Sequence, residues 1–375
     1  MNDKMALNLI AEIMGWGDDG DGVATREYAW LRLMSSIKYD GYADFRAGVR
    51  FLESLTAWLQ QFSVADRQAA YAFVKLRLVY ISSPELLRLI EAFVPEVVTP
   101  NLRVVVAHEL GCAPYEVWST GRGALEFKNR LRRTLFVGMS DGSRIDMLRR
   151  ANAARLSPEQ VVPVMNVDDE KWRDLADNLK MEQGPGAKFD SVYLVDDFTA
   201  SGTTFIRRVG SAWKGKLKKF NAIVCEAKRD LGDAFPLADG FALHVHHYLS
   251  SHQARSALLE RMAFAQNEWA ERSYGTWTVT EGLCLPSSLK LSGTDDHEML
   301  AICEAYYDHS LFKRLEKHCR EAGQTDMKLG YGECALPIVL EHNTPNNSIP
   351  LLWAETDDSL GPRIEPLFRR RDRHG

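Results

Sequence analysis

A run of four uncharged residues, Val192-Tyr193-Leu194-Val195, is closed by Asp190 on one side and Asp196 on the other. It then opens into Asp197-Phe198-Thr199-Ala200-Ser201-Gly202-Thr203-Thr204. Such a run suits a strand buried on both faces of a parallel sheet, and the ends of such strands are where open α/β sheets bind ligands. Gly202 permits a tight turn and the close approach of a ligand, while Thr199, Ser201, Thr203 and Thr204 supply hydroxyls. The following Phe205-Ile206-Arg207-Arg208 reads as the start of a helix whose first amides are unpaired, so the loop is an anion cradle. Two carboxylates pointing into that cradle would repel a phosphate. They belong farther along the ligand, accepting hydrogen bonds from vicinal hydroxyls, and a phosphorylated sugar satisfies both halves. The plainer alternative is a strand-to-helix turn with Asp and Ser as caps.

A second stretch repeats the logic. Residues 134–138 read as a strand, Ser140-Asp141-Gly142-Ser143-Arg144 as a polar glycine loop, and Ile145 onward as a helix. Two parallel strands that end in phosphate-friendly loops face one ligand from two sides; an N-capped helix without a ligand is the alternative. Between these stretches, residues 161–165 read as a short strand, 168–181 as a helix and 182–188 as a solvated or mobile connection.

The rest of the chain frames these loops. Residues 1–98 read as helices, with apolar stripes over 42–62 and 64–80 and a helix start at Ser83-Pro84-Glu85; Trp30 and Trp58 belong to their core. Pro95 and Pro100 mark a boundary, after which 102–107 reads as a strand. Beyond the acidic loop, 221–226 and 241–249 read as strands. Alternation in the latter sets His244 and His246 on one face and Phe241, Leu243, Val245 and His247 on the other. A histidine pair at that spacing can bind a metal, but no third ligand has convincing spacing. His252 opens a helix to about residue 272, residues 296–321 read as helical, and 335–341 as a strand before the turn His342-Asn343-Thr344-Pro345-Asn346-Asn347.

A net charge of -5 over 375 residues gives no global field that selects nucleic acid. Three basic clusters would track a phosphate backbone if they shared a surface: Arg122, Lys128, Arg130, Arg132, Arg133; Arg144, Arg149, Arg150, Arg155; and Arg369, Arg370, Arg371, Arg373. The six cysteines form no CxxC pair, which fits reduced thiols in a cytoplasm. No apolar run approaches the ~20 residues of a membrane span. Asp3, Lys4 and Glu12 interrupt the short apolar start, so it does not read as a secretory signal.

The order strand, Asp196-Asp197, apolar residue, two variable residues, Ser201-Gly202-Thr203-Thr204 resembles the phosphoribosyl-pyrophosphate signature of type I phosphoribosyltransferases. The resemblance implies an α/β fold with a mainly parallel, Rossmann-like sheet flanked by helices. In that family the acidic pair holds the ribose 2- and 3-hydroxyls, and the loop, here Thr199, Ala200, Ser201, Gly202, Thr203 and Thr204, holds the 5-phosphate. Residues 140–144 fall where the pyrophosphate loop should be, with Arg144 meeting leaving-group charge. Gly184 to Lys188 falls where a flexible loop would close over the reaction centre. Mg2+ is implied through the ligand's oxygens, with no direct protein ligand. The strand at 335–341, the turn at 342–347, Leu351-Leu352-Trp353 and Glu365-Pro366-Leu367-Phe368-Arg369-Arg370 resemble the C-terminal part of a branch associated with bacterial conflict and antiphage systems.

The expected organisation is therefore a helical N-terminal domain at 1–98, a phosphoribosyltransferase-like core at 99–275 and a C-terminal extension at 276–375 packing on that core. The leading functional expectation is an enzyme that binds phosphoribosyl pyrophosphate or a related nucleotide with Mg2+ and transfers phosphoribosyl to an acceptor, with Asp196, Asp197 and Arg144 as its catalytic residues. The alternative is a non-catalytic nucleotide-binding regulator, or an effector subunit with a protein partner in a defence complex. In that second setting nucleic acid is a possible ligand of the basic clusters.

Overall fold

The acidic run is the middle strand of a parallel sheet. In the computed structural model, which describes residues 3–17, 22–357 and 359–371, the chain divides into two compact units. One comprises residues 1–85 and 286–375, the other residues 86–285.

The first half of the discontinuous unit holds helices α1 (Asp3–Met14), α2 (Val23–Ile37), α3 (Phe51–Gln60) and α4 (Val64–Leu76), then strand β1 (Val79–Ile81). Ser63 caps α4 by accepting from the Asp66 amide. The expected helix over 42–62 begins only at Phe51, and Tyr80 lies in the strand.

The chain then enters the sheet-bearing unit through α5 (Ser83–Phe93), a π-turn (Val94–Val98) and α6 (Thr99–Leu110). Pro95 and Pro100 are thus inside one helical run. Pro95 sits in the π-turn, where its missing N–H is tolerated, and Pro100 sits in the first turn of α6. The strand expected at 102–107 is part of α6. Next come α7 (Gly121–Arg132), β2 (Thr134–Gly138), α8 (Ile145–Ala151), β3 (Val161–Val162), α9 (Asp169–Gln183) and β4 (Phe189–Thr199). A hairpin of β5 (Arg207–Val209) and β6 (Ala212–Lys214) follows, then α10 (Lys216–Leu231), β7 (Leu237–Ser251), α11 (His252–Glu268) and β8 (Trp277–Leu285). The strand expected at 221–226 is part of α10.

The five long-range strands pair in the order β3-β2-β4-β7-β8, every pair parallel. The strand-end loops after β2 and β4 therefore leave the same edge of adjacent strands. One sheet face carries Leu135, Val137, Val192, Leu194, Leu243 and Val245, packed on Trp172, Leu175 and Leu179 of α9 and on apolar residues of α10 and α11. The opposite face is aromatic. Phe136 stacks on Tyr193 at 5.5 Å, Tyr193 on His244 at 4.3 Å, and Phe93 of α5 on His246 at 4.0 Å. The histidine faces are those the alternation implied. The rings are engaged locally, His244 Nδ1 with Thr278 Oγ1 at 2.6 Å and His246 Nδ1 with Thr280 Oγ1 at 3.0 Å.

The chain returns to the discontinuous unit with α12 (His297–Ala305), α13 (Ser310–Glu321), β9 (Ile338–Leu340) and α14 (Pro350–Trp353). The division differs from the boundaries expected near 98 and 275: the C-terminal segment shares a unit with the N-terminal helices. Phe368 contacts the rings of Tyr39, Tyr42, Phe45, Phe51 and Tyr80. Trp58 Nε1 donates to the Leu351 carbonyl at 2.7 Å, and β1 pairs with β9 in parallel, so this unit is not all-helical. Large buried rings of this kind dominate core energetics. The 342–347 turn is the stitch: Thr344 Oγ1 bonds Tyr42 Oη at 2.8 Å and the Phe368 carbonyl at 3.1 Å, and Asn347 Nδ2 reaches the Tyr331 carbonyl at 2.8 Å.

Candidate functional site

Alternation along β4 presents its last acidic residues to opposite faces of the sheet. Asp196 pairs in register with His247 on the aliphatic face. Its carboxylate is buried and accepts from Ser140 Oγ at 2.5 Å through Oδ1 and from Lys216 Nζ through Oδ2. Lys216 is the first residue of α10, so this one carboxylate joins the end of β4, the loop after β2 and the start of a helix. An ion pair held inside a protein costs desolvation and is retained only when further hydrogen bonds complete it, which Ser140 does here.

Asp197 is half-buried and accepts the Phe198 amide at 2.8 Å through Oδ1. The neighbouring loop crosses it closely: a Cβ on Gly142 would stand 2.8 Å from Asp197 Oδ2. The two strand-end loops thus meet over adjacent strands, and the Met139 amide extends the ladder to the Val195 carbonyl at 2.9 Å. Ser143 is buried, Asp141 exposed, and Arg144 is the N-cap of α8 with φ 50 and ψ 33. A left-handed arginine is uncommon and needs the surrounding turn to hold it. Arg144 makes no ion pair among the described residues.

The loop after β4 is built differently from the sequence expectation. Phe205 to Arg208 do not start a helix; the β5–β6 hairpin intervenes, and α10 begins at Lys216. The first amides of α10 are already used, Lys216 N by the Thr204 carbonyl at 3.0 Å and Leu217 N by the Phe205 carbonyl at 3.0 Å. The cradle therefore has no open helix terminus. Thr199, Ala200, Ser201, Gly202 and Thr203 are buried and Thr204 is exposed. Ser201 Oγ and Thr203 Oγ1 bond each other at 2.8 Å. Gly202 adopts φ +68 and packs on Leu258 of α11.

Cations substitute for the helix terminus. Arg261 Nη1 donates to the carbonyls of Ser201 and Ile206 at 3.2 and 3.3 Å, and Arg207 Nη1 to the Thr203 carbonyl at 3.1 Å. Their charge stands behind the loop, and Lys216 offsets Asp196, so the two carboxylates do not leave the site strongly negative. At the rim of the aliphatic face, Arg255 pairs with Glu281 at 3.1 Å, and burial holds the Glu281 carboxyl above its ordinary range despite Arg255. His247 is held down to about 4 by burial, which outweighs the opposing pull of Asp196. On the other face burial raises the Tyr248 hydroxyl, helped by Asp196, Asp197 and Asp146.

The structure thus brings Ser140, Gly142, Asp196 and Asp197 together and sets the 199–204 loop directly after them. It moves the 184–188 loop away. That segment leads into the beginning of β4 at Phe189, seven residues before Asp196 and at the opposite end of the strand, roughly 20 Å distant at ~3.3 Å per residue. Lys188 cannot close over the acidic pair. Lys216, Arg261, His247 and Ser251, whose Oγ donates to the Ala200 carbonyl at 2.5 Å, were not singled out as site residues. The acid-free stretch around Lys216 was the only available signal.

Arg130 pairs with Glu109 at 2.5 Å and Asp190 at 2.6 Å, and Arg132 with Glu182 at 2.6 Å, so two of the five cations of the first basic cluster are neutralised. Arg369 pairs with Glu355 at 2.5 Å in the other unit, and Arg373 lies outside the described residues. No helix among the described residues is long and apolar enough to cross a membrane. The model of the family described as PRTase-CE matches residues 55–370. No curated protein and no solved structure matches the chain.

Proposed function

The chain belongs to the PRTase-CE family, a phosphoribosyltransferase-type family of the conflict-associated branch, and from that premise we propose that its site binds phosphoribosyl pyrophosphate and transfers the phosphoribosyl group. The observation that carries the reading is the meeting of the two strand-end loops at the acidic pair: Ser140 on Asp196, and Gly142 against Asp197. In this reading Asp197 accepts ribose hydroxyls, while Asp196, tied to Ser140 and Lys216, fixes the geometry and contributes its charge. The hydroxyls and amides of 199–204 take the 5-phosphate, and 140–144 takes pyrophosphate, with Arg144 opposite the leaving-group charge.

The bond from C1 to pyrophosphate breaks with its electron pair leaving on pyrophosphate. The acceptor's lone pair forms the new bond at C1, and the acceptor loses its proton. Positioning and neutralisation of the leaving group supply the acceleration, and no protein nucleophile is required. The carboxylate and hydroxyl oxygens at this corner fit a Mg2+ held through the ligand, which when bound would neutralise pyrophosphate charge. The family branch supports a place in a bacterial defence system, acting in the cytoplasm.

One observation favours a second reading, a nucleotide-responsive regulator without turnover. Both oxygens of Asp196 already have protein partners, which leaves ribose recognition to Asp197. Calorimetric titration with phosphoribosyl pyrophosphate, with and without Mg2+, followed by a pyrophosphate-release assay, separates the two. Binding with release supports the transferase; binding that never releases pyrophosphate, even with cell extract added, supports the regulator. Asp196→Asn combined with Asp197→Asn should weaken binding in a folded protein, and unchanged affinity would sink the ribose assignment.

A further inference from the structure

The hairpin that interrupts the β4 loop changes what the neighbouring surface can hold. From Phe205 to Lys219 the chain carries six cations, Arg207, Arg208, Lys214, Lys216, Lys218 and Lys219, and no Asp or Glu. Arg208 and Trp213 face each other across the β5–β6 pair. The Arg208 guanidinium lies 6.0 Å from the Trp213 ring and 5.1 Å from the Phe264 ring of α11. Trp213 stacks on Trp269 at 5.8 Å and contacts Phe264 at 5.7 Å, and Lys218 Nζ lies 5.5 Å over Trp269. Three rings and two cations make one continuous strip across the hairpin, the start of α10 and the end of α11.

Part of this strip is packing, since Trp269 is buried and anchors the hairpin. The rest faces solvent. Phe264 is 42% exposed, Arg208 and Lys219 are exposed, and Arg208, Lys218 and Lys219 form no ion pair among the described residues. On α11 the carboxylates Glu260 and Glu268 flank Phe264 one turn to either side, and neither forms an ion pair with the strip. An exposed ring and guanidinium give stacking faces that accept any base, while unpaired cations neutralise a sugar-phosphate backbone.

We propose that this strip binds single-stranded nucleic acid. One feature selects the single strand: stacking surfaces require unpaired bases, which a duplex does not offer. The inference does not rest on the phosphoribosyl reading, because none of its aromatic residues touches the acidic pair.

The test is fluorescence anisotropy of the full chain with fluorescein-labelled single-stranded RNA and single-stranded DNA of mixed sequence, against a duplex of the same length. Single strands should bind more tightly than duplex. Three phosphate contacts, from Arg208, Lys218 and Lys219, predict a loss of roughly twentyfold in affinity between about 50 and about 200 mM salt. Arg208→Glu with Lys219→Glu, both at exposed positions, should weaken binding about tenfold or more and flatten the salt dependence. Phe264→Ala should weaken binding about tenfold with the salt dependence intact. Arg149→Ala with Arg150→Ala on α8, and Asp196→Asn with Asp197→Asn, should leave affinity unchanged. The RNA and DNA arms identify which strand the protein prefers. Absence of binding, preference for duplex, or loss of binding in the α8 variant but not in the hairpin variant overturns the proposal.

Discussion

On one face of the central sheet β2, β4 and β7 present Leu135, Val137, Val192, Leu194, Leu243 and Val245; on the other the same strands present Phe136, Tyr193, His244, His246 and Tyr248. At the strand ends this alternation assigns one carboxylate to each face. Asp196, on the aliphatic side, is buried and held by Ser140 and Lys216. Asp197, on the aromatic side, is more open and is limited mainly by the passing Gly142 backbone. Two residues that look equivalent in sequence therefore have different surroundings: one is buried and ties the loops together, the other is half-buried and closely passed by Gly142.

The largest effect should come from removing the cation of the buried pair. Lys216→Met leaves Asp196 charged and partly unpaired and should cost about 3 kcal/mol in urea denaturation, near the low end for a broken buried pair. Asp197→Asn should cost less than about 1 kcal/mol while weakening phosphoribosyl-pyrophosphate binding. Equal losses would break the comparison between the two carboxylates.

Acid should sharpen it next. His244 on the aromatic face and His247 on the aliphatic face are each held down to about 4 by burial. Below the ordinary histidine value of 6.5 the unfolded chain binds protons that the folded chain refuses, so stability is present above about 6.5 and is lost as pH falls from there toward 4. Each histidine should contribute a loss of about 2 kcal/mol between neutral pH and pH ~5. Urea midpoints across that window check it, and His247→Leu should flatten the profile by one histidine's share. A pH-independent midpoint would show that the rings are not kept neutral.

Smaller effects belong to the loops. Gly202→Ala places a side chain at φ +68 with its Cβ 3.2 Å from Leu258, and should cost about 1 kcal/mol in thermal unfolding. Gly142→Ala should change stability by less than about 0.5 kcal/mol, since only a carboxylate tip must move, yet it should lower ligand affinity by displacing Asp197. A large stability loss there would mean that the Asp197 carboxylate is as fixed as that of Asp196.

The sheet was legible where the pattern had one explanation. The apolar run into Asp196, the histidine alternation of β7 and the helix expected over 168–181, found as α9 with Asp168 capping it, all appear where the residues imply them. The apolar runs at 102–107 and 221–226 were misread because Val104-Val105-Val106 and Ile223-Val224 carry β-branched side chains whose strand preference is weak beside helical continuity and packing. At the site, the acids, hydroxyls and glycines were readable because their chemistry is local. Lys216 was not: it reaches Asp196 only because a hairpin folds twenty residues of chain back onto the loop, and no spacing rule encodes that return. The C-terminal segment was misassigned for the same reason, since its partners Tyr42 and Trp58 lie about 300 residues earlier.

That distant pairing sets an order of assembly during synthesis. The sheet-bearing unit is complete once Leu285 has been made, and it can close while the chain is still growing. The helices that precede it must wait, with Phe51, Leu55 and Trp58 lacking their full cover until Leu351, Trp353 and Phe368 emerge. The helices on the N-terminal side of the sheet are thus among the last to be buried, and a nascent chain halted before Trp353 would present to chaperones and proteases an apolar surface that the finished protein conceals.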